Sequence, residues 1–268
     1  MSKKIAIIGM GKMGEAIAQG LMQSSLGSQY KIVGTTKSEE SATEVRARLK
    51  IECRTDNASA IKDANLIFLC VKPHQVQEIL SAHQTLIQKD QLLISICAAV
   101  TTEQLSTWSG GRASVIRTMP NTPCLIKCGV TALCKGPRCT DEQLRSVEKI
   151  FGELGEVTVL EENLFDGVTG LSGCGPAYVY LMIEALSEAG VKVGISRKQA
   201  TLLAAQTMMG AAKMVLERGE HPAALKDEVT TPAGCTVDGL MALEEGSLRV
   251  TLIKAVLAAT NRSKRMGK

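Results

Sequence analysis

The spacing of apolar positions changes once along this chain, near residues 160–166. Before that point short apolar runs recur: "KIAIIG" (4–9), "YKIVGTT" (30–36), "ANLIFLCV" (64–71), "QLLISIC" (91–97), "SVIRTM" (114–119), "VTALC" (130–134) and "EVTVL" (156–160). Their length and β-branched content predict strands. Helix-length segments lie between the first of them, such as Gly14 to Ser24 and Ser41 to Lys50. Strand, helix, strand at this spacing predicts βαβ units and a largely parallel sheet. "TDEQLRSVEKIFGEL" places Thr140 and Gln143 at capping-box spacing and reads as a helix. Beyond residue 165 the strand signal stops. "PAYVYLMIEALSEAGV" is apolar nearly all round, which predicts a helix covered on every side. "RKQATLLAAQTMMGAAKMVLERG" repeats Ala200, Leu203, Ala204, Thr207, Met208, Ala211, Met214 and Val215 on one helical face. "SLRVTLIKAVLAATNRSKR" is a last helix, with Ser247 as its N-cap after Gly246. The chain therefore divides into an α/β part, residues 1–162, and an all-helical part, residues 163–268.

The first βα junction carries chemistry. "GMGKMG" sets Gly9, Gly11 and Gly14 in the G-x-G-x-x-G pattern, directly after a strand and opening a helix. Gly9 permits the turn, Gly11 lets a pyrophosphate approach the backbone, and Gly14 lets helix and strand pack closely. The helix N-terminus, with Lys12 and Met13 in its first turn, attracts the phosphates. NAD-binding versions carry an acid at the end of the second strand. Here Thr35, Thr36, Lys37 and Ser38 stand there. Hydroxyls and an ammonium accommodate a 2′-phosphate, so the expected cofactor is NADPH, with NADH less preferred. Glu39 and Glu40 are expected in the following helical turns, and Arg46 and Arg48 lie too far along it to be primary phosphate ligands. Ligands in open α/β sheets bind beyond the carboxyl ends of the strands. Val71, Lys72, Pro73, Ala98 and Ala99 should therefore flank the nicotinamide half, and Met119, Pro120 and Asn121 should close the same wall. Asn57 completes the candidate cofactor set.

Composition adds limits. Thirty-one basic and 27 acidic residues leave a formal charge of +4, too mild for a nucleic-acid partner. The one basic cluster, "NRSKRMGK", reads as a frayed, solvated tail. No apolar run reaches the roughly 18 residues of a membrane span. The N-terminal run Ile5–Ile8 ends in glycines, which suits a strand and not a signal peptide, and the expected location is cytoplasmic. Nine cysteines in irregular spacing, without a C-x-x-C pair, fit free thiols used as small core residues rather than a metal site.

From Ile150 to Val191 there is no Lys, Arg or His. A carbonyl becoming an alkoxide wants a proton donor or an oxyanion site. A protonated imine does not, since hydride attack neutralises its charge. That absence points to an iminium substrate. Near the other end, "TTPAGCT" (230–236) is an uncharged loop ahead of a helix, "TVDGLMALEEG", expected to start at Thr236 or Val237. Its first N–H groups make an anion site without a basic side chain. Thr231, Gly234, Cys235 and Thr236 are the candidate substrate-binding residues, with the backbone N–H groups of Gly234, Cys235 and Thr236 as donors.

The chain resembles the pyrroline-5-carboxylate reductase family over essentially its whole length. The residues that carry the resemblance are "IGMGKMG", "FLCVKP", "IRTMPNTP", "LSGCGPAYVYLMIEAL", "GAAKMVLERGEHPAALKDEVTTPAGCT" and "LEEG". The resemblance implies an N-terminal Rossmann-like domain followed by an all-α dimerisation domain, and NAD(P)H reduction of Δ1-pyrroline-5-carboxylate to L-proline. It also implies homodimers interleaved through the helical domains, often assembled into larger rings. The Thr236 hydroxyl becomes the candidate catalytic group, reaching the ring nitrogen; the alternative is a plain helix N-cap. Three stretches depart from the family's usual pattern: Cys174 stands in G-S-G-P-A-Y, Ala99 in A-A-G-V, and Ala233 and Cys235 in S-P-G-G-(T/A)-T. Two other readings remain: a β-hydroxyacid dehydrogenase relative, which would want a catalytic Lys in the helical half, and a non-catalytic nucleotide-sensing homologue.

Overall fold

Alternation along the first strand sets the architecture. Ile5 and Ile7 face one way, Ala6 and Ile8 the other, and all four are fully buried. A strand buried on both faces belongs inside a sheet covered by helices on both sides. The computed structural model describes residues 3–24 and 27–267. Among these, eight strands form one sheet: β1 (Lys3–Ile8), β2 (Tyr30–Thr35), β3 (Glu52–Arg54), β4 (Leu66–Leu69), β5 (Leu92–Ser95), β6 (Ser114–Pro120), β7 (Gly129–Lys135) and β8 (Gly155–Val159). Their order is β3-β2-β1-β4-β5-β6-β7-β8. The pairs are parallel except β6 with β7, which is antiparallel. Seven of these strands match the predicted runs. The eighth, β3, was not predicted: three residues, two of them charged, carry almost no hydrophobic signal.

The connecting helices are α1 (Lys12–Gln23), α2 (Glu39–Leu49), α3 (Asn57–Ile61), α4 (Pro73–His83), α5 (Thr102–Trp108) and α6 (Asp141–Gly152). One core layer holds Ile5, Ile7, Ile17, Leu21, Phe68 and Phe151; the other holds Ala6, Ile8, Leu69, Val76 and Leu80. Thr140 caps α6 as its spacing predicts. Its hydroxyl accepts the Gln143 N–H at 3.2 Å, and Gln143 Oε1 accepts the Thr140 N–H at 2.9 Å. Cys53 and Cys124 are buried as free thiols in the first layer, Cys97 in the second, and Cys134 in a smaller cluster with Ala132 and Phe165.

The remaining helices are α7 (Phe165–Val168), α8 (Gly175–Lys192), α9 (Arg197–Arg218), α10 (Pro222–Glu228), α11 (Cys235–Glu245) and α12 (Leu248–Met266). The chain forms two compact units, one of residues 1–173 with 259–268 and one of residues 174–258. A wide π-turn, Thr169–Gly173, separates α7 from α8. Pro176 has no N–H for a carbonyl four residues back. That carbonyl, Ser172 O, accepts from Asn121 Nδ2 at 3.3 Å instead.

Within the helical unit, α8 and α9 form a hairpin closed on small residues. A Cβ on Gly190 would lie 2.7 Å from Ala200 Cβ, and Ser187 and Thr201 share a hydroxyl hydrogen bond of 2.7 Å. Beyond that seam the chain covers little. Ser187 is the one buried residue of α8, and Tyr180, Leu181, Leu202, Leu203, Met209 and Leu216 are exposed. Among the described residues of its own unit α8 does not find the cover that its apolar composition predicts, because that unit is too small to supply it.

The basic tail departs from expectation. It continues α12 to Met266 rather than fraying, and Ser263, buried, donates to Asp166 Oδ1 at 2.6 Å. Lys268, its last residue, lies outside the described residues. Ser247 directly precedes α12, its carbonyl accepting the Thr251 N–H at 3.0 Å.

Candidate active site

The carboxyl ends of β1, β2, β4 and β5 form one edge, and the fingerprint turn crosses it. Gly9 has φ +98°, and any Cβ there would strike Val71 Cγ1 and Cys70 O within 3 Å. A Cβ on Gly14 would sit 2.3 Å from Gly9 O, so α1 packs on the turn only with glycine there. The space at Gly11 is open: nothing lies within 4 Å of a Cβ built on it. Gly11 is also the N-cap of α1 and offers no side-chain cap. The N–H groups of Lys12, Met13 and Gly14 have no partner among the described residues. Open space in front of an uncapped helix end is what a pyrophosphate requires, so these residues fit a dinucleotide.

The end of β2 is more differentiated than the sequence suggests. Thr35 is buried, and its hydroxyl and carbonyl both accept the Gly9 N–H, at 3.3 and 3.2 Å. It braces the fingerprint turn from below. Thr36 donates to Ser38 O at 3.0 Å, Ser38 caps α2, and Lys37 is exposed. Glu39 and Glu40 occupy the first turn of α2, as expected, and Glu39 is held by Arg46. The unpredicted strand β3 places Arg54 beside Thr35 in register, with Thr36 N–H donating to Arg54 O at 2.9 Å. Asn57 opens α3, which Asp56 caps by accepting from Ala58 and Ser59.

Along the same edge Lys72 precedes α4 and Pro73 is its first residue; the Lys72 N–H donates to Gln75 Oε1 at 3.2 Å. Ala98 and Ala99 follow β5. Ala99 is buried and has φ +60°, a left-handed conformation unusual for a residue with a side chain. Met119 and Pro120 end β6. The Asn121 amide is structurally committed, donating to Ser172 O and accepting the Val130 N–H at 3.0 Å. Below this wall Arg117 is 4% exposed. It pairs with Glu162 at 3.1 Å and lies 4.8 Å over the Phe165 ring. Glu162 also accepts from Thr102 N and Thr102 Oγ1, both at 2.7 Å. A cavity of about 470 Å³ lined by Lys62, Asn65 and Gln91 opens at the amino ends of the strands, the opposite edge from this site.

In the helical unit the uncharged loop is a tight turn ahead of α11. The Arg218 guanidinium forks onto both oxygens of Glu228 at 2.6 and 2.7 Å, anchoring α10 to α9 just before the loop. Thr230 donates to Lys226 O at 2.7 Å. Gly234 N–H donates to Thr231 O at 3.0 Å, closing a turn with Pro232 and Ala233 at its centre. A Cβ on Gly234 would lie 2.4 Å from Thr231 Oγ1. Ala233 has φ +57°.

Helix α11 starts at Cys235, one residue earlier than expected, with Gly234 as an N-cap that carries no side chain. Two expectations change accordingly. Gly234 N–H is already committed to the turn, so the open donors are Cys235 and Thr236. Thr236 is the second residue of the helix and not its cap, and its hydroxyl has no partner among the described residues. Cys235 is exposed and Thr236 half-buried.

Comparison with known proteins agrees with this layout. Residues 162–266 match the family described as pyrroline-5-carboxylate reductase dimerisation. Residues 4–99 match the family described as NADP oxidoreductase coenzyme F420-dependent. The pyrroline-5-carboxylate reductase of Methanosarcina acetivorans is 39% identical, over 100% of this chain and 99% of its own. A solved pyrroline-5-carboxylate reductase from Coxiella burnetii superposes with a TM-score of 0.92 at 32% identity, covering both chains completely. The Plasmodium falciparum pyrroline carboxylate reductase, solved with NADP bound, gives 0.88 at 32% identity, over 99% of this chain and 98% of that one.

Proposed function

The chain belongs to the pyrroline-5-carboxylate reductase family, and from that premise we propose how its own residues perform the reaction. It is an oxidoreductase of proline biosynthesis, reducing Δ1-pyrroline-5-carboxylate to L-proline. The β-hydroxyacid dehydrogenase and nucleotide-sensing readings are not favoured. The dinucleotide belongs to residues 1–162; substrate and partner chain belong to residues 163–268. Reduced NADPH, when bound, supplies the hydride. The open turn at Gly11 and the uncapped N–H groups of Lys12, Met13 and Gly14 hold its pyrophosphate. Thr36, Lys37 and Ser38, with no acid at the strand end, favour NADPH over NADH.

The observation that carries the substrate assignment is the open start of α11. Cys235 and Thr236 present unpartnered N–H groups at the positive end of an 11-residue helix, enough for a carboxylate. Asp238, in the same first turn, tempers that attraction and favours the cationic end of an iminium acid. The free Thr236 hydroxyl faces no competing partner and is assigned to the ring nitrogen. No lysine is needed, because the imine is already positive and loses that charge on reduction.

Two further properties rest on the same premise. The uncovered apolar helices and the dimerisation-family match support a homodimer through the helical unit; a larger ring of such dimers is what the family resemblance implies. Among the described residues no helix is long and apolar enough to cross a membrane. Nine free thiols support a reducing, cytoplasmic location.

Steady-state kinetics on Thr236→Ala and Thr236→Ser test the assignment. As a substrate contact, Thr236→Ala lowers kcat/KM by about tenfold or more, with NADP+ affinity unchanged, and Thr236→Ser restores most of it. Because Gly234 is the cap, Thr236→Ala leaves the melting temperature nearly unmoved. Normal turnover in Thr236→Ala would remove the hydroxyl from the site.

A further inference from the structure

The strand that hydrophobic patterning missed brings a cation to the edge that binds the dinucleotide. Arg54 ends β3, and its Cα is in register with Thr35, the last residue of β2. The Thr36 N–H donates to Arg54 O at 2.9 Å, which ties the two strand ends together immediately before Lys37 and Ser38. Strand neighbours lie about 4.8 Å apart. A guanidinium on a long stem therefore starts one strand away from the ribose end of the site.

The other arginines nearby are committed elsewhere. Arg46 donates to Cys53 O at 2.8 Å and Thr43 Oγ1 at 2.8 Å, and pairs with Glu39. Arg48 pairs with Glu15. Among the described residues Arg54 has one side-chain partner, Glu52, two residues back on the same face of β3. Exposed pairs of this kind are weak tethers. Glu52 also keeps a second cation, Lys31 at 3.0 Å, so losing Arg54 does not leave its charge unbalanced. A loosely held arginine gains by turning to a phosphate, whose oxygens it meets bidentately. The nearest following acid, Asp56, is engaged in capping α3.

Resting on the NADPH reading above, we propose that Arg54 is a specificity-determining residue. It leaves Glu52 to grip the 2′-phosphate of the dinucleotide, beside the Thr36–Ser38 loop. Lys37, exposed and without an ion-pair partner among the described residues, adds charge but not the fork.

The test is calorimetric binding of NADP+, NAD+ and adenosine 2′,5′-bisphosphate to the intact wild-type enzyme and to Arg54→Ala, Arg54→Lys, Glu52→Gln and Lys37→Ala. Arg54→Ala should raise Kd for NADP+ and for the bisphosphate by about tenfold or more, and leave NAD+ unchanged. Arg54→Lys should recover part of the loss. Glu52→Gln, which frees the arginine together with the more distant Lys31, should bind NADP+ as tightly as wild type or tighter. If Glu52→Gln reproduces the loss, Arg54 acts through its strand partner and the proposal is overturned. It is equally overturned if Arg54→Ala binds NADP+ normally while Lys37→Ala does not. A wild type that binds NAD+ as well as NADP+ would instead refute the NADPH reading on which the proposal stands.

Discussion

Two alanines hold backbone conformations that ordinarily call for glycine, and their contrast makes a quantitative prediction. Ala233 and Ala99 have φ +57° and +60°. Both stand where the family pattern has glycine. An L-residue in the left-handed region costs roughly 1–2 kcal/mol. Replacing it by glycine removes that cost but adds about 0.4–1 kcal/mol of unfolded-state freedom. For exposed Ala233 nothing else changes, and Ala233→Gly should stabilise by about 0.5–1 kcal/mol. Ala99 is 8% exposed. Removing its buried methyl forfeits about 0.8 kcal/mol of burial, so Ala99→Gly should come out near zero. Urea unfolding at one fixed protomer concentration measures both, since an oligomer's midpoint moves with concentration. In thermal scans Ala233→Gly should rise by about 1–3 °C. If Ala99→Gly stabilises more than Ala233→Gly, or Ala233→Gly destabilises, the separation of strain from burial is wrong.

Light scattering at micromolar concentration should return at least two chains per particle, given the exposed Leu181, Leu202 and Leu216; a folded, active monomer would contradict the dimer. Stability should fall in alkali. Burial pushes the Cys97 and Cys134 thiols up to about 11. Between the unfolded thiol pKa near 8.5 and that value, the unfolded chain has released protons that the folded chain still holds. The stabilisation is thus complete below about pH 8.5, and each thiol costs about 1.4 kcal/mol per pH unit as pH rises through the window. Urea midpoints at pH 8 and pH 10 should differ less in the Cys97→Ala, Cys134→Ala double variant than in wild type, and equal slopes would show that these thiols ionise freely in the folded protein.

The predicted strands, the fingerprint helix and the α6 capping box were legible because each is written in neighbouring residues. The edge strand β3 was not, since three half-polar residues acquire strand geometry only by pairing with β2. With it went Arg54. The tail gave a misleading signal for a similar reason: its charges mark a solvated end, while Ser263 is buried through a bond to Asp166, 97 residues away.

By itself the sequence determined the fold class, an α/β part followed by a helical one, together with the glycine fingerprint and the uncharged loop. All of these rest on local periodicity, backbone sterics at glycine and the absence of charge. Tertiary structure decided which groups in those motifs remain free. The Gly234 N–H is taken by Thr231 and the Asn121 amide by Ser172 and Val130, whereas Cys235, Thr236 and the first turn of α1 stay open. Composition reveals which donors and acceptors a chain has. Their availability depends on hydrogen bonds that form only once the chain has brought its segments together.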